Sequence, residues 1–253
     1  MDKLIVRGLR KSFGKSSVLR DIDFTVQEGE FLSLLGPSGC GKTTILRILI
    51  GLEKPDAGQI FKDGKDITSL APSRRGMGIV FQNYALFENM TVLGNVEYAL
   101  RRRGDSRTQA RETALRMLEM VGLKELASRK PGRLSGGQQQ RVAIARTLAL
   151  QPDIVLFDEP MSALDVDTRL SLRTELKALQ KQFGTTIVYI THDQEEAFAM
   201  SDRIMVMEEG RIHQLDTPEN IVAHPADEYV ERFVIRNIQL KADSLIRFVN
   251  HEA

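Results

Sequence analysis

The chain has 253 residues, with 35 Lys+Arg against 34 Asp+Glu, a formal net charge of +1, 42% hydrophobic residues and 27% charged ones. These are the proportions of a globular protein long enough to bury a sizeable core, as one large domain or a core with a subdomain. Near neutrality argues against a general nucleic-acid binder, which needs a basic surplus, and the single cysteine, Cys40, cannot close an internal disulfide, which fits a reducing compartment. Charge returns within the first seven residues, so no secretory signal is expected there. No run approaches the roughly 18 uncharged apolar residues that cross a bilayer, so the chain is expected to be soluble.

Short apolar or alternating runs at residues 4–9, 31–35, 79–81, 154–157, 186–190 and 204–207 predict strands. Several are apolar on both sides, as in central strands covered by helices. Helical spacing predicts helices over 42–50, 95–100, 109–121, 138–150, 168–183 and 194–200. The alternation predicts an α/β fold with a mostly parallel sheet. From about Asn83 to Leu150 helix follows helix, which reads as an insertion into that core. The basic run Arg101, Arg102, Arg103 reads as a solvated loop or as a contact with a partner.

Residues Gly36, Pro37, Ser38, Gly39, Cys40, Gly41, Lys42 and Thr43 match the P-loop pattern in full, between a predicted buried strand and a predicted helix. Glycines let successive N–H groups curl inward as a nest for phosphate oxygens, and the helix N-terminus faces the same anion. In that pattern Lys42 reaches the β- and γ-phosphates, and the Thr43 hydroxyl ligates Mg²⁺. Cys40 reads as filler in this loop, since no base is implied beside it. The run 154–160 is an apolar strand ending in Asp158, Glu159 and Pro160. Strand ends of a parallel sheet lie at the ligand crevice. Asp158 there suits a Mg²⁺ shell, and Glu159 is free to take a proton from water.

Residues 134–138, Leu-Ser-Gly-Gly-Gln, followed by Gln139, Gln140 and Arg141, resemble the signature of ATP-binding cassette (ABC) ATPases. Gln82 matches that family's Q-loop, residues 162–165 its D-loop, His192 its switch histidine, and Phe13 the aromatic ring that stacks on adenine. The resemblance covers nearly the whole chain. Ser135 also reads as an N-cap before an amphipathic helix whose first amides Gly136 and Gly137 leave uncovered, a second anion site.

The resemblance implies a P-loop NTPase core with a mostly parallel sheet, an N-terminal antiparallel β portion and an inserted α-helical subdomain. The core is expected over 1–82 and 151–225, the helical subdomain over 83–150 and a helical tail over 226–253. Catalysis falls to Glu159, His192 and Lys42. ATP contacts fall to Phe13, the loop from Gly36 to Thr43, Thr44 and Gln82. Ser135, Gly136, Gly137, Gln138 and Asp165 serve the nucleotide of a partner copy in a head-to-tail homodimer with two shared ATP sites. Mg²⁺ falls to Thr43, Gln82 and Asp158.

Residues 191–197, 210–214 and 217–220 carry a closer likeness to importer ATPases for polyamines, sugars, ferric iron, sulfate and phosphonates. That likeness implies permease subunits as partners, an extracytoplasmic solute-binding protein, no nucleic acid, and a peripheral place on the cytoplasmic face of a bacterial membrane. Residues 83–87 read either as a core anchor or as a docking groove for a permease helix. The regulatory β-domain of many such ATPases is expected to be absent or reduced to the tail. Two alternatives stand beside the importer: a soluble ABC ATPase acting on nucleic acid or the ribosome, and a nucleotide-binding scaffold without catalysis.

Overall fold

A computed structural model describes residues 1–249; residues 250–253 of the expected tail lie outside the described residues. Strands β1 (Asp2–Phe13) and β2 (Ser16–Gln27) are one-sided: Leu4 and Val6 on the first, and Ile22, Phe24 and Val26 on the second, point into the core between exposed or half-exposed neighbours. They pair antiparallel. All five residues of β3 (Phe31–Leu35) are buried, and it runs through the P-loop into α1 (Lys42–Ile50). Strands β4 (Ala57–Lys62) and β5 (Lys65–Asp66) complete an antiparallel sheet of order β2-β1-β4-β5.

The second sheet begins with β6 (Met77–Val80). Three helices follow without a strand between them: α2 (Val92–Arg103), α3 (Arg107–Met120) and α4 (Gly136–Leu148). The chain then returns through β7 (Ile154–Asp158), α5 (Val166–Phe183), β8 (Thr186–Thr191), α6 (Gln194–Met200), β9 (Arg203–Glu208) and β10 (Arg211–Asp216). The sheet order is β10-β9-β3-β8-β7-β6, parallel except for the edge strand β10. Beyond it lie α7 (Pro218–Ala223), the single turn α8 (Glu228–Val230), a π-helical turn (Glu231–Arg236) and α9 (Asn237–Val249). Among the described residues no helix is long and apolar enough to cross a membrane.

Period-2 geometry divides most of the parallel-strand side chains between two cores, while Leu35, Ile204 and Val206 join Ala197, Ile221, Val230 and Val234 in a third. Phe31, Val155, Phe157, Ile187 and Tyr189 pack with α2, α3, α4 and α5. Leu32, Leu34, Ile154, Leu156, Val188 and Ile190 pack with α1 and the antiparallel sheet. Burial on both sides is why these strands read as continuous apolar runs. The bounds of α1 and α6 coincide with the predicted ones. Helix α2 starts earlier than its apolar spacing suggests because the Thr91 hydroxyl accepts from Gly94 N (3.0 Å) and opens it at Val92. Strand β10 went unpredicted because Ile212 to Asp216 are all half-buried, which leaves no alternation to read.

The end of α1 is held by a side chain that the sequence does not mark. Arg75 is 3% exposed, whereas its neighbour Arg74 is exposed. The Arg75 guanidinium donates to the last-turn carbonyls of Ile48 (2.7 Å), which also accepts from Gly51 N, and Leu49 (2.8 Å), and to those of Thr68 and Leu70. Arg75→Met would leave four carbonyls without that donor. It is expected to lower the unfolding free energy by about 2–4 kcal/mol, read as a lower urea midpoint at unchanged slope. Arg74→Met is expected to stay within about 0.5 kcal/mol.

Candidate functional site

Four adjacent parallel strands, β3, β8, β7 and β6, end in step. Leu35 pairs with Thr191, Ile190 with Asp158, and Phe157 with Val80. The residues that follow those ends are the P-loop, His192, Glu159 and Gln82. Parallel pairing therefore gathers at one sheet edge residues far apart in the chain.

The P-loop opens α1 without a side-chain cap. Helices α2 to α8 each begin on a Thr, Ser or Asp whose side chain accepts a backbone N–H, whereas α1 begins on Gly41 and has none. Its first amides are thus left for an anion. Gly41 sits at φ 108°, and a Cβ there would come within 2.7 Å of Leu19, so conformation and space both demand glycine. Lys42 Nζ donates to Gly36 O (2.7 Å) and Pro37 O (2.9 Å), bracing the curl of the loop. Cys40 is buried, and burial raises its thiol pKa above the ordinary value, in keeping with filler rather than a nucleophile.

A cleft of about 490 Å³ brings together Phe13, Val18, Ser38, Gly39, Gly41, Lys42, Thr43, Thr44, Gln82 and Glu159. Phe13 is half exposed at its rim, with Lys11 Nζ 5.1 Å from the ring centroid. Thr43 Oγ1 lies 3.1 Å from Asp158 Oδ1. Burial, with the neighbouring Glu159 carboxylate, pushes the Asp158 carboxyl above the usual range; the Thr43 hydroxyl, Arg47 and Lys42 oppose that shift. Glu159 takes the left-handed φ of 44°, its N–H held by Ile190 O, and its Oε2 lies 3.0 Å from His192 Nδ1. Gln82 Nε2 donates to Ser162 Oγ (3.1 Å), whose hydroxyl donates to Glu159 O. Hydroxyl, carboxylate and amide oxygens are hard donors of the kind Mg²⁺ takes, so Thr43, Asp158 and Gln82 fit that ion.

Ser135, Gly136, Gly137, Gln138 and Asp165 do not line this cleft. They gather instead where α4 meets α5. Ser135 caps α4 by a reciprocal pair, Gln138 N to Ser135 Oγ and Ser135 N to Gln138 Oε1. The Gln138 amide is therefore taken, so fewer N–H groups are open than the sequence suggests. Gly137 also has a packing reason, because a Cβ there would meet Thr168 Cγ2 of α5 at 2.5 Å. Asp165 caps α5 through Thr168 N and Thr168 Oγ1, which hold its carboxyl below the usual range.

Arg146 of α4 holds the segment just after Gln82, a contact that sequence reasoning missed. Its guanidinium donates to Tyr84 O (3.0 Å) and Ala85 O (2.7 Å), both residues with positive φ just beyond Gln82. The two readings of residues 83–87 divide here. Tyr84 and Leu86 pack on the helical core, while Phe87 is 38% exposed and meets the Tyr98 ring edge-on at 4.9 Å. Arg103, at the end of the basic run, pairs with Asp105 at the C-terminus of α2.

Residues 19–162, more than half of the chain, match the ABC transporter family. The chain is 50% identical over 229 residues to the spermidine/putrescine import ATP-binding protein of Oleidesulfovibrio alaskensis, covering 90% of this chain and 61% of that protein. It is 50% identical over 233 residues to a sulfate/thiosulfate import ATP-binding protein of Chromobacterium violaceum (92% and 63%). It is 47% identical over 231 residues to the Fe(3+) ions import ATP-binding protein of Agrobacterium fabrum (91% and 65%). The chain thus spans less than two thirds of the length of these curated relatives. The ATP-binding cassette MJ0796, solved as a dimer in a post-hydrolysis state with ADP and Pi, superimposes with a TM-score of 0.76 at 36% identity, covering 85% of this chain and 98% of that one. With a family match over more than half of the chain, relatives at 47–50% identity and this fold, the protein belongs to the ABC transporter family.

Proposed function

We propose that this chain is the ATP-hydrolysing subunit of an ABC importer, driving solute uptake through membrane-spanning partner subunits. The observation that carries the reading is the Glu159–His192 pair, 3.0 Å apart, beside an uncapped P-loop braced by Lys42. Phosphoryl transfer needs positioning and charge stabilisation more than covalent chemistry from the protein. Lys42 and the α1 amides would bind the β- and γ-phosphates, with Ser38, Gly39 and Thr44 lining the same cradle, Pro37 beside them in the loop and Phe13 against the base. Thr43, Asp158 and Gln82 would hold Mg²⁺, which when bound neutralises charge on those phosphates. Glu159 would accept the proton of the attacking water, while His192 orients that carboxylate and senses the γ-phosphate.

The separation of Ser135–Asp165 from the cleft supports action in trans, with two copies head to tail and each signature helix facing the other's nucleotide. Residues 1–82 and 151–225 would form the ATPase core, 83–150 the helical subdomain and 226–253 a tail. Exposed Phe87 beside Tyr98, next to the arginine-held segment after Gln82, would meet a helix of a permease and pass on the state of the cleft. Relatives named for three cargoes match at 47–50% identity, so cargo choice would rest with the permease and an extracytoplasmic binding protein. Those names favour an importer at the cytoplasmic face of a membrane over an ATPase acting on nucleic acid. Recovery with ribosomes or DNA, and never with a membrane protein, would overturn the reading.

Lys42→Ala is expected to weaken ATP binding at least tenfold, about 1.4 kcal/mol, in a fluorescent-nucleotide titration. Glu159→Gln is expected to keep ATP, run as a dimer in light scattering with MgATP, and lose about 10²- to 10⁴-fold in kcat; normal turnover in that variant would remove Glu159 from the role. The raised pKa of Asp158 also has a stability consequence. The folded carboxyl holds its proton to higher pH than the unfolded one, so its contribution to stability falls as pH rises from the ordinary carboxylate range through the raised value. Asp158→Asn is therefore expected to raise Tm at pH 7 by roughly 1–3 °C while abolishing turnover, with the gain vanishing below the ordinary carboxylate range.

A further inference from the structure

Beneath the switch loop lies a buried acid that the chemistry above does not use. Glu196, on the first turn of α6, is 5% exposed. Its Oε2 accepts two hydroxyls, Tyr189 Oη (2.8 Å) and Thr191 Oγ1 (2.8 Å), both from β8. Tyr189 and Thr191 are themselves buried, and the Tyr189 ring sits among Phe31 and Phe157. The Thr191 hydroxyl, fixed as a donor to Glu196, offers its lone pair to Asp193 N (3.0 Å). Asp193 Oδ1 in turn caps α6 through Glu195 N. His192 lies between these two anchored residues and is itself half exposed, touching Glu159 through Nδ1.

We infer that Glu196 is a positioning residue for the reaction proposed above: through Thr191 Oγ1 and Asp193 N it sets where the His192 imidazole meets Glu159. A carboxylate is a costly group to bury, and an apolar residue facing β8 would pack there without that cost. What the acid supplies is direction. Two donors converging on one oxygen leave the Thr191 hydroxyl a single way to point, and the only backbone amide it then serves is that of Asp193. Ordering of this kind is the device by which one group holds a catalytic side chain without touching substrate. Tyr189 shares the same oxygen but reaches no part of the switch loop through it, which gives an internal control.

The test uses the full chain in its membrane complex for turnover and the full chain alone for hydrogen exchange. Thr191→Val keeps the shape of the side chain and removes the relay; Glu196→Leu removes its anchor. Both are expected to lower kcat by about 10- to 100-fold with KM for ATP changed less than about threefold, the pattern of a misplaced catalytic group, and to speed exchange of the Asp193 amide. Glu196→Gln retains an acceptor oxygen, and Tyr189→Phe spares the relay, so both are expected within about threefold of the unsubstituted chain in kcat. Undiminished kcat and Asp193 protection in Thr191→Val and Glu196→Leu would overturn the inference. So would a loss in Tyr189→Phe as large as that in Thr191→Val, because the acid would then act through stability alone. If the unsubstituted complex hydrolyses no ATP, the functional reading fails, and Asp193 exchange still decides the role of Glu196.

Discussion

In-step pairing of β3, β8, β7 and β6 is the constraint on which the site depends. Backbone hydrogen bonds fix the register of neighbouring strands, and burial on both faces prevents slippage, since a shift of one residue would exchange two apolar faces packed on different partners. Once Leu35 stands opposite Thr191 and Ile190 opposite Asp158, the loop from Gly36 to Thr43, His192 and the Asp158–Glu159 pair must emerge side by side. The geometry of the cleft is then a matter of what the chain does in the next few residues. It turns through Gly41 at one strand end, through a left-handed Glu159 at another, and through a threonine held by a buried acid at a third.

Each of these turns carries an energetic burden that a purely structural protein would avoid. Asp158 is pushed toward neutrality by burial, Glu159 occupies a conformation unfavourable to a side chain, and α1 opens without a cap. The burdens cluster within one cleft, while the surrounding helices are capped and the far end of α1 is secured by Arg75. Local instability confined to one cleft, offset by firm packing around it, is the usual trade between activity and stability.

The helical insertion connects to the cleft where it begins. Gln82 enters it, and Arg146 ties the strained Tyr84–Ala85 segment to α4, the helix that Ser135 caps. A movement of α4 would therefore be felt by the backbone just after Gln82 and by the exposed Phe87, whose ring lies 5.7 Å from the Arg146 guanidinium. One polar side chain thus couples two segments more than sixty residues apart.

The amino-acid sequence by itself determined the α/β class, the P-loop, the acidic strand end and the helical insertion. These rest on local pattern: unbroken apolar runs, glycine spacing and 3.6-residue periodicity, all set within a few residues. Ser135 as a cap was legible for the same reason, since capping is a contact across three residues. What only the tertiary structure decided are the contacts made across the chain. Nothing in the sequence separates buried Arg75 from exposed Arg74, or marks Arg146 and Glu196 among many exposed charges, because a charge is satisfied by whichever carbonyl or hydroxyl the fold brings to it. The half-buried strand β10 was likewise invisible, its place set by pairing with β9 rather than by alternation of its own. The chemistry could be read from local spacing, but the positioning of that chemistry is long-range, and it exists only once the strands have paired.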